Sequence, residues 1–483
     1  MRTSESINQG PLSIILFAVL FLSINLANCQ TITNQDDLSW AKENPRLKSG
    51  NLLVPENHDN PDGKKIHIAY VIVKSKDSTS NAYPLVLFTG GPGGNTIDPG
   101  LVGFLSDHPF SEKRDVILFD QRGIGYSSSL PNMGFDSFGI LASNADEKKE
   151  LELSIQMIEN YKKKCSDLGI NPEHYNSTQN AKDVGALFDH LGYEKYNLSG
   201  GSYGTLLARM VQDFFPEKVH VSILDSPALL STDFLQMRLE NYSLSLKRIM
   251  DHCKTDSECN KKYPNLEADY YRSISILEKR PIKVRVKDSI DFYINAQDGI
   301  YLLRRLLYQD NSREKAPELI QAFIKGEGDI IKDVVEFEYE LTGILNLTML
   351  LSVEKAESFD PRNTPEVIAQ SYKKYPLIPA KLGFFDAFYQ AGMNWHEGNL
   401  PMEKRQFMDS EIPTLIFVNR YDPVTPPKNG RLFKEKLSKG QLFILDEGGH
   451  GGGNRECKFQ VILDFMGAPD KPLDSSCLNI YKE

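Results

Sequence analysis

Six times along the chain a short apolar run ends abruptly in a loop of small or polar residues. YPLVLF gives way to TGGPGGN, DVILFD to QRGIGYSS, and YNLS to GGSYG. Further on, VHVSILD runs into SPA, TLIFVN into RYDPVT, and QLFIL into DEGGHGGG. Runs of four to six residues rich in Val, Ile, Leu and Phe suit strands buried on both faces of a parallel sheet. Between them lie helical patterns such as NAKDVGALFDHLG, with Val184, Leu187, Phe188 and Leu191 spaced by three and four. Strand and helix in alternation predict an α/β fold with a mostly parallel central sheet, and function at the carboxyl ends of its strands.

The alternation stops after about Pro227 and resumes only at Ile412. From Leu229 to about Pro401 the chain reads as charged amphipathic helices, NYSLSLKRIMDHC and GIYLLRRLLYQD among them, with one β-like stretch, IKVRVKD. The expected division is a core of residues 30–228 and 402–483, and a mainly helical cap of residues 229–401 over the strand ends. Bulk composition agrees with a globular chain. The 483 residues are 40% hydrophobic and 25% charged, with 65 acidic against 55 basic side chains. A net charge of −10 argues against a protein built to grip nucleic acid.

The first 29 residues read as an export signal. Arg2 precedes an uncharged run, Pro11 to Ala27, of signal-peptide length, and Ala27-Asn28-Cys29 offers small residues for cleavage before Gln30. A retained membrane anchor, or a lipid on Cys29, is the alternative. The expected location is outside the cell, or the periplasm in a bacterium, with no membrane span after signal removal. Export permits disulfides. Cys253 and Cys259 lie close together, Cys457 and Cys477 bracket the C-terminal segment, and local pairing would leave Cys165 free. Unpaired buried thiols are the competing reading, while zinc lacks the paired spacings it needs. Four N-x-S/T sequons begin at Asn176, Asn197, Asn241 and Asn346, of which Asn197 falls in a predicted strand.

Gly200-Gly201-Ser202-Tyr203-Gly204 is the sharpest local signal, a G-x-S-x-G between a predicted strand and the helical TLLARMVQDFF. A nucleophile on so tight a turn needs small neighbours, and the turn aims a helix N-terminus at developing negative charge. A serine hydroxyl also needs a base. His450, in the glycine-rich loop after QLFIL, is the expected base. Asp422, after TLIFVN, is the expected acid holding the imidazole, with Asp225 after VHVSIL as its rival. The order Ser202, Asp422, His450 is that of the α/β-hydrolases. An oxyanion hole would combine the N–H of Tyr203 with one from the loop Gly90-Gly91-Pro92-Gly93-Gly94.

Taken in order, TGGPGGN, FDQRGIGYSS, NLSGGSYGT, VNRYDPVTPP and GGHGGG resemble the S33 serine exopeptidases of the α/β-hydrolase fold. These are the prolyl aminopeptidases and the secreted tripeptidyl aminopeptidases. The resemblance runs from about Trp40 to Cys477, tight at the sheet loops and weak in the cap. It implies Ser202 as nucleophile, Asp422 as acid, His450 as base, and Gly91 and Tyr203 as oxyanion donors. It leaves Asp120 and Arg122 structural, and it fits the pairs Cys253–Cys259 and Cys457–Cys477. Two departures stand out. Thr89 occupies a position where family members often carry His, and LLSVEKAESF and YQAGMNW lack cysteines that relatives commonly have.

The resemblance further implies short peptide substrates cleaved near a free amino terminus, releasing one residue such as proline, or di- or tripeptides. A buried carboxylate must then replace the ammonium group's water. Glu336, Glu338, Glu354 and Glu357 are the cap candidates, Glu357 first by position. Such chemistry calls for no metal and no organic cofactor. A carboxylesterase or lipase acting on small acyl esters is the alternative substrate reading, and a binding protein that has lost catalysis is the alternative from another class.

Overall fold

The computed structural model describes residues 38–230, 234–401 and 405–482, so the export-signal reading and Cys29 lie outside the described residues. Eight strands form one sheet: β1 (Leu47–Pro55), β2 (Lys65–Val73), β3 (Leu85–Phe88), β4 (Val116–Phe119), β5 (Tyr196–Gly201), β6 (Val219–Asp225), β9 (Thr414–Asn419) and β10 (Gly440–Leu445). Their spatial order is β1-β2-β4-β3-β5-β6-β9-β10, with β7 (Ile282–Val286) and β8 (Ile290–Ile294) paired apart from it. From β4 to β10 every pairing is parallel, while β1 and β2 add an antiparallel edge.

All six apolar runs are strands. Their side chains alternate between two cores, as the period of two requires. In β3, Val86 and Phe88 face the larger core, while Leu85 and Leu87 face the smaller one with Val116, Leu118, Ile223 and Phe417. The pattern NAKDVGALFDHLG is a helix, Ser177–Leu191, capped by the Asn176 side chain and closed by Gly192 in a left-handed turn at φ 74°. The antiparallel strands β1 and β2 were not marked by the strand-to-glycine-loop pattern, because they end in polar turns instead. The β-like IKVRVKD forms β7, paired with β8 in an antiparallel hairpin.

Between β6 and β9 the chain forms a series of helices together with that hairpin. They share the larger core with the face of the sheet they cover. Two helices from before β5 join them: Gly134–Ala142 packs on Asp329–Ile344, and Glu147–Asp167 packs on Phe384–Gly392. The disulfides are Cys253–Cys259 and Cys457–Cys477, and Cys165 is a buried free thiol. Asn197 and Asn241 are only 2% exposed, which leaves no room for a glycan on either.

One helix departs from its sequence pattern. GIYLLRRLLYQD reads as amphipathic, yet in the helix Ala296–Leu306 every residue is buried. The helix runs through the middle of the cap, and Arg304 and Arg305 face an internal cavity rather than solvent.

Candidate active site

Ser202 sits where β5 meets the helix Tyr203–Phe214, with φ 53° and ψ −124°. Close packing explains two of the neighbouring glycines. A Cβ on Gly204 would lie 2.0 Å from the carbonyl oxygen of Phe88, and one on Gly200 would lie 2.3 Å from that of Gly204. Gly201 has nothing within 4 Å, so space does not demand a glycine there. The turn therefore needs small residues on its flanks, where β3, β5 and the helix converge, and not at its middle position.

His450 and Asp422 form the second half of the constellation. The imidazole Nδ1 lies 2.8 Å from Asp422 Oδ2. Asp422 Oδ1 accepts the backbone N–H groups of Val424 and Thr425 at 2.7 and 2.8 Å, and Oδ2 accepts the Thr425 hydroxyl at 2.6 Å. Burial pushes this carboxyl up, but the charge of His450 and the hydrogen bonds from His450 and Thr425 outweigh it. The group is held below its usual range and stays ionised. Ser202 and His450 line one cavity, and no direct hydrogen bond closes between them.

Asp225 is occupied elsewhere. Its Oδ2 accepts Lys458 Nζ at 2.7 Å, and the same ammonium donates to the carbonyl of Gly452 at 2.7 Å. Lys458 thereby ties the end of β6 to the loop that carries His450. The Ser226 hydroxyl adds a second tie by accepting the Gly451 N–H at 2.9 Å. Neither Lys458 nor Thr425 was singled out from the sequence. Thr425 had a signal, since it lies three residues beyond Asp422 in the same loop, whereas Lys458 looks like any helix-surface lysine.

The flanking glycines of His450 serve the cap. A Cβ on Gly449 would lie 2.2 Å from the carbonyl oxygen of Leu307, and the His450 N–H donates to the carbonyl of Tyr308 at 3.0 Å. The histidine loop is thus docked on the segment that leaves the helix Ala296–Leu306.

Around Ser202, Gly90, Gly91 and Tyr203 line the same cavity. Gly91 has φ 118°. The loop is held by Asp120, whose Oδ1 accepts the N–H groups of Thr96 and Ile97 at 2.6 and 2.9 Å and whose Oδ2 accepts that of Tyr126 at 2.8 Å. Arg122 reaches Asp183 with two donors, at 2.8 and 2.7 Å, away from the cavity. Thr89 bonds to the hydroxyl of Thr96 and braces the loop from within.

The cavity measures about 250 Å³ and is lined by the sheet loops on one side and by residues of the cap on the other. Glu338, Glu354 and Glu357 line it, while Glu336 lies outside, near Lys332. Glu338 is bound by Arg305 and Tyr301. Glu354 pairs with Arg238 at 3.5 Å. Glu357 accepts the N–H and hydroxyl of Ser177 at 2.6 and 2.8 Å, and that hydroxyl bonds Tyr203 at 2.7 Å. Burial raises Glu354 and Glu357 to about 7 each, partly offset by Arg238 and by Ser177 respectively.

With the geometry in place, comparison with known proteins identifies the class. Residues 83–267 match the α/β hydrolase fold family, and residues 391–477 match the family described as TAP-like protein. The chain has the α/β-hydrolase fold and is an enzyme of the hydrolase class. It is 22% identical to a putative hydrolase, YuaR, of Escherichia coli over 94% of this chain and 92% of that one. It is 30% identical to the serine protease Hip1 of Mycobacterium tuberculosis, over 41% of this chain and 40% of that protein. With a tripeptidyl aminopeptidase of Streptomyces coelicolor it shares 25% identity over 39% of this chain and 40% or less, namely 36%, of the other. The two peptidases are therefore matched over well under half their length.

Proposed function

We propose that the protein is a secreted serine exopeptidase that releases N-terminal residues from short peptides. The observation that carries this reading is the Ser202–His450–Asp422 constellation at a cavity that the cap helps to line. Ser202 Oγ attacks the scissile carbonyl as His450 Nε2 takes its proton. Asp422 holds the Nδ1–H and stabilises the imidazolium. The N–H groups of Gly91 and Tyr203 receive the oxyanion. His450 then protonates the departing amine, and water activated by the same ring hydrolyses the acyl-enzyme.

Cap residues that share the cavity with the nucleophile narrow access to it, which favours short peptides. Glu357, and Glu354 beside it, supply buried carboxylates for a substrate ammonium. The names of the mycobacterial and streptomycete relatives support a peptidase. The core of residues 30–228 and 402–483 would carry the chemistry and the cap of residues 229–401 the selectivity. Two disulfides support export, and among the described residues no helix is long and apolar enough to cross a membrane.

An esterase reading has its own support, because much of the cavity wall is apolar, with Leu141, Leu206, Leu341, Phe384 and Phe388. One assay separates the two. Free and N-acetylated tripeptidyl amides and p-nitrophenyl esters are offered to the wild type and to Ser202→Ala. The exopeptidase reading expects amide cleavage that N-acetylation abolishes and that Ser202→Ala lacks. Cleavage of esters alone would overturn it.

A further inference from the structure

The cavity above Ser202 is lined by a cation that no carboxylate meets in an ion pair among the described residues, although it shares the field of Glu354 with Arg238. Three arginines line it: Arg238, Arg304 and Arg305. Arg305 is bound to Glu338 and donates to the Tyr301 hydroxyl at 3.0 Å, and Arg238 pairs with Glu354. Arg304 differs from both. It is 4% exposed, and its one side-chain hydrogen bond runs from Nη1 to the Tyr308 hydroxyl at 3.2 Å. What sets it apart is that, among the described residues, no carboxylate lies within ion-pairing distance of it, while Arg238 and Arg305 each have one. Its Nε is also buried without a hydrogen bond.

What Arg304 does have is aromatic cover. Its guanidinium stands 5.5 Å from the centre of the Tyr308 ring and 5.2 Å from that of Phe385. Ring faces attract a cation, but they leave its N–H donors unmet. A guanidinium that lines a cavity with its Nε buried and unmet is costly to the fold. Its planar fork matches a carboxylate in two parallel hydrogen bonds.

Position ties this cation to the chemistry. The Tyr308 ring that Arg304 bonds lies 5.4 Å from the His450 ring, and the Tyr308 carbonyl accepts the His450 N–H. The guanidinium is thus one side chain removed from the base. We propose that Arg304 binds a carboxylate of the substrate, making the enzyme selective for peptides that carry a negative charge beside the scissile bond. The inference rests on the peptidase reading of the same site. Either of two carboxylates on a peptide supplies this chemistry, an Asp or Glu side chain or the C-terminal carboxylate.

The test uses the intact protein and matched substrate pairs. One pair, C-terminally amidated, carries Glu or Gln next to the scissile bond. The other is a neutral peptide with a free or an amidated C-terminus. Wild type is expected to favour the charged member of one pair by about 30-fold or more in kcat/KM, the scale of a desolvated charge pair. The pair that responds identifies the carboxylate. Arg304→Met is expected to collapse that ratio to within about threefold, and Arg304→Lys to keep part of it, since a point charge lacks the fork. Because the cation is unpaired, Arg304→Met should also melt no lower than wild type.

The proposal is overturned if wild type shows no charge preference in either pair, or if Arg304→Met retains the preference. Should a variant fail to fold, the wild-type ratio alone still decides. Should no peptide be cleaved, the peptidase reading has failed on its own account. The same ratio is then read on p-nitrophenyl hydrogen glutarate against p-nitrophenyl butyrate.

Discussion

Asp422 in the core and Glu354 in the cap are both buried carboxylates facing one cavity, and they are held very differently. Asp422 receives hydrogen bonds from Val424, Thr425 and His450 on both oxygens and is kept ionised. Glu354 has one ion pair, to Arg238 at 3.5 Å, and burial raises it to about 7. Arg304, whose charge also acts on Glu354, has no ion pair among the described residues. The core groups are satisfied before substrate arrives, as preorganised chemistry requires. Glu354 and Arg304 in the cap hold fewer bonds than Asp422, which is what a surface that reads a charged substrate requires.

The comparison can be broken most severely at the nucleophile. Ser202→Ala should lower kcat by about 10⁶-fold while leaving the melting temperature unchanged, since the core needs the hydroxyl only for chemistry. A residual rate within about a hundredfold of wild type would place the nucleophile elsewhere. At the acid the expected loss is smaller but more discriminating. Asp422→Asn should cost about 10⁴-fold in kcat, whereas Asp225→Asn, which loosens only the Lys458 tie, should cost about tenfold or less. Equal losses in the two variants would erase the distinction between triad acid and loop anchor. A weaker effect is expected from pH, through the cap. Glu354 and Glu357 must be ionised to hold an ammonium, so discrimination against N-acetylated peptides should rise as pH climbs through about 7.

The sign for stability is the opposite. A carboxyl raised from 4.5 to about 7 favours the fold below its unfolded value and loses that contribution as pH rises through 7. Wild type should therefore lose up to about 3 kcal/mol per group between pH 5 and 8, and Glu357→Gln should flatten that decline. Parallel melting curves for the two proteins across this range would contradict the assignment. The smallest effect sharpens the picture of the turn. Gly201→Ala should change stability by less than about 1 kcal/mol, while Gly204→Ala should cost more than about 3 kcal/mol, because its Cβ would overlap the Phe88 carbonyl. Chemical denaturation of the two variants measures the difference.

The same contrast governs what could be read from sequence. Core strands are apolar runs ended by glycine loops, and close packing forces glycines such as Gly200 and Gly204, so β3 to β6, β9 and β10 and the loops that carry Ser202, Asp422 and His450 were legible. The antiparallel strands β1 and β2 lack such endings and left no comparable mark. In the cap, adjacent arginines at 304 and 305 look like the wet face of a helix. Only the packing of Phe385, Tyr301 and Tyr308 around them makes them interior. Glu357 was favoured by position alone, and its bonds to Ser177 depend on how two distant segments meet. Lys458 is invisible for the same reason, since its role exists only once the end of β6 and the histidine loop are side by side.

The central claim is that Ser202, activated by His450 and Asp422, forms a covalent intermediate. An active-serine reagent such as a fluorophosphonate tests it directly, with peptide mapping by mass spectrometry. A single adduct on the peptide containing Ser202, absent in Ser202→Ala and strongly slowed in His450→Ala, is the expected result. No adduct on the folded protein, labelling at another residue, or labelling of Ser202 that is indifferent to His450 would contradict it.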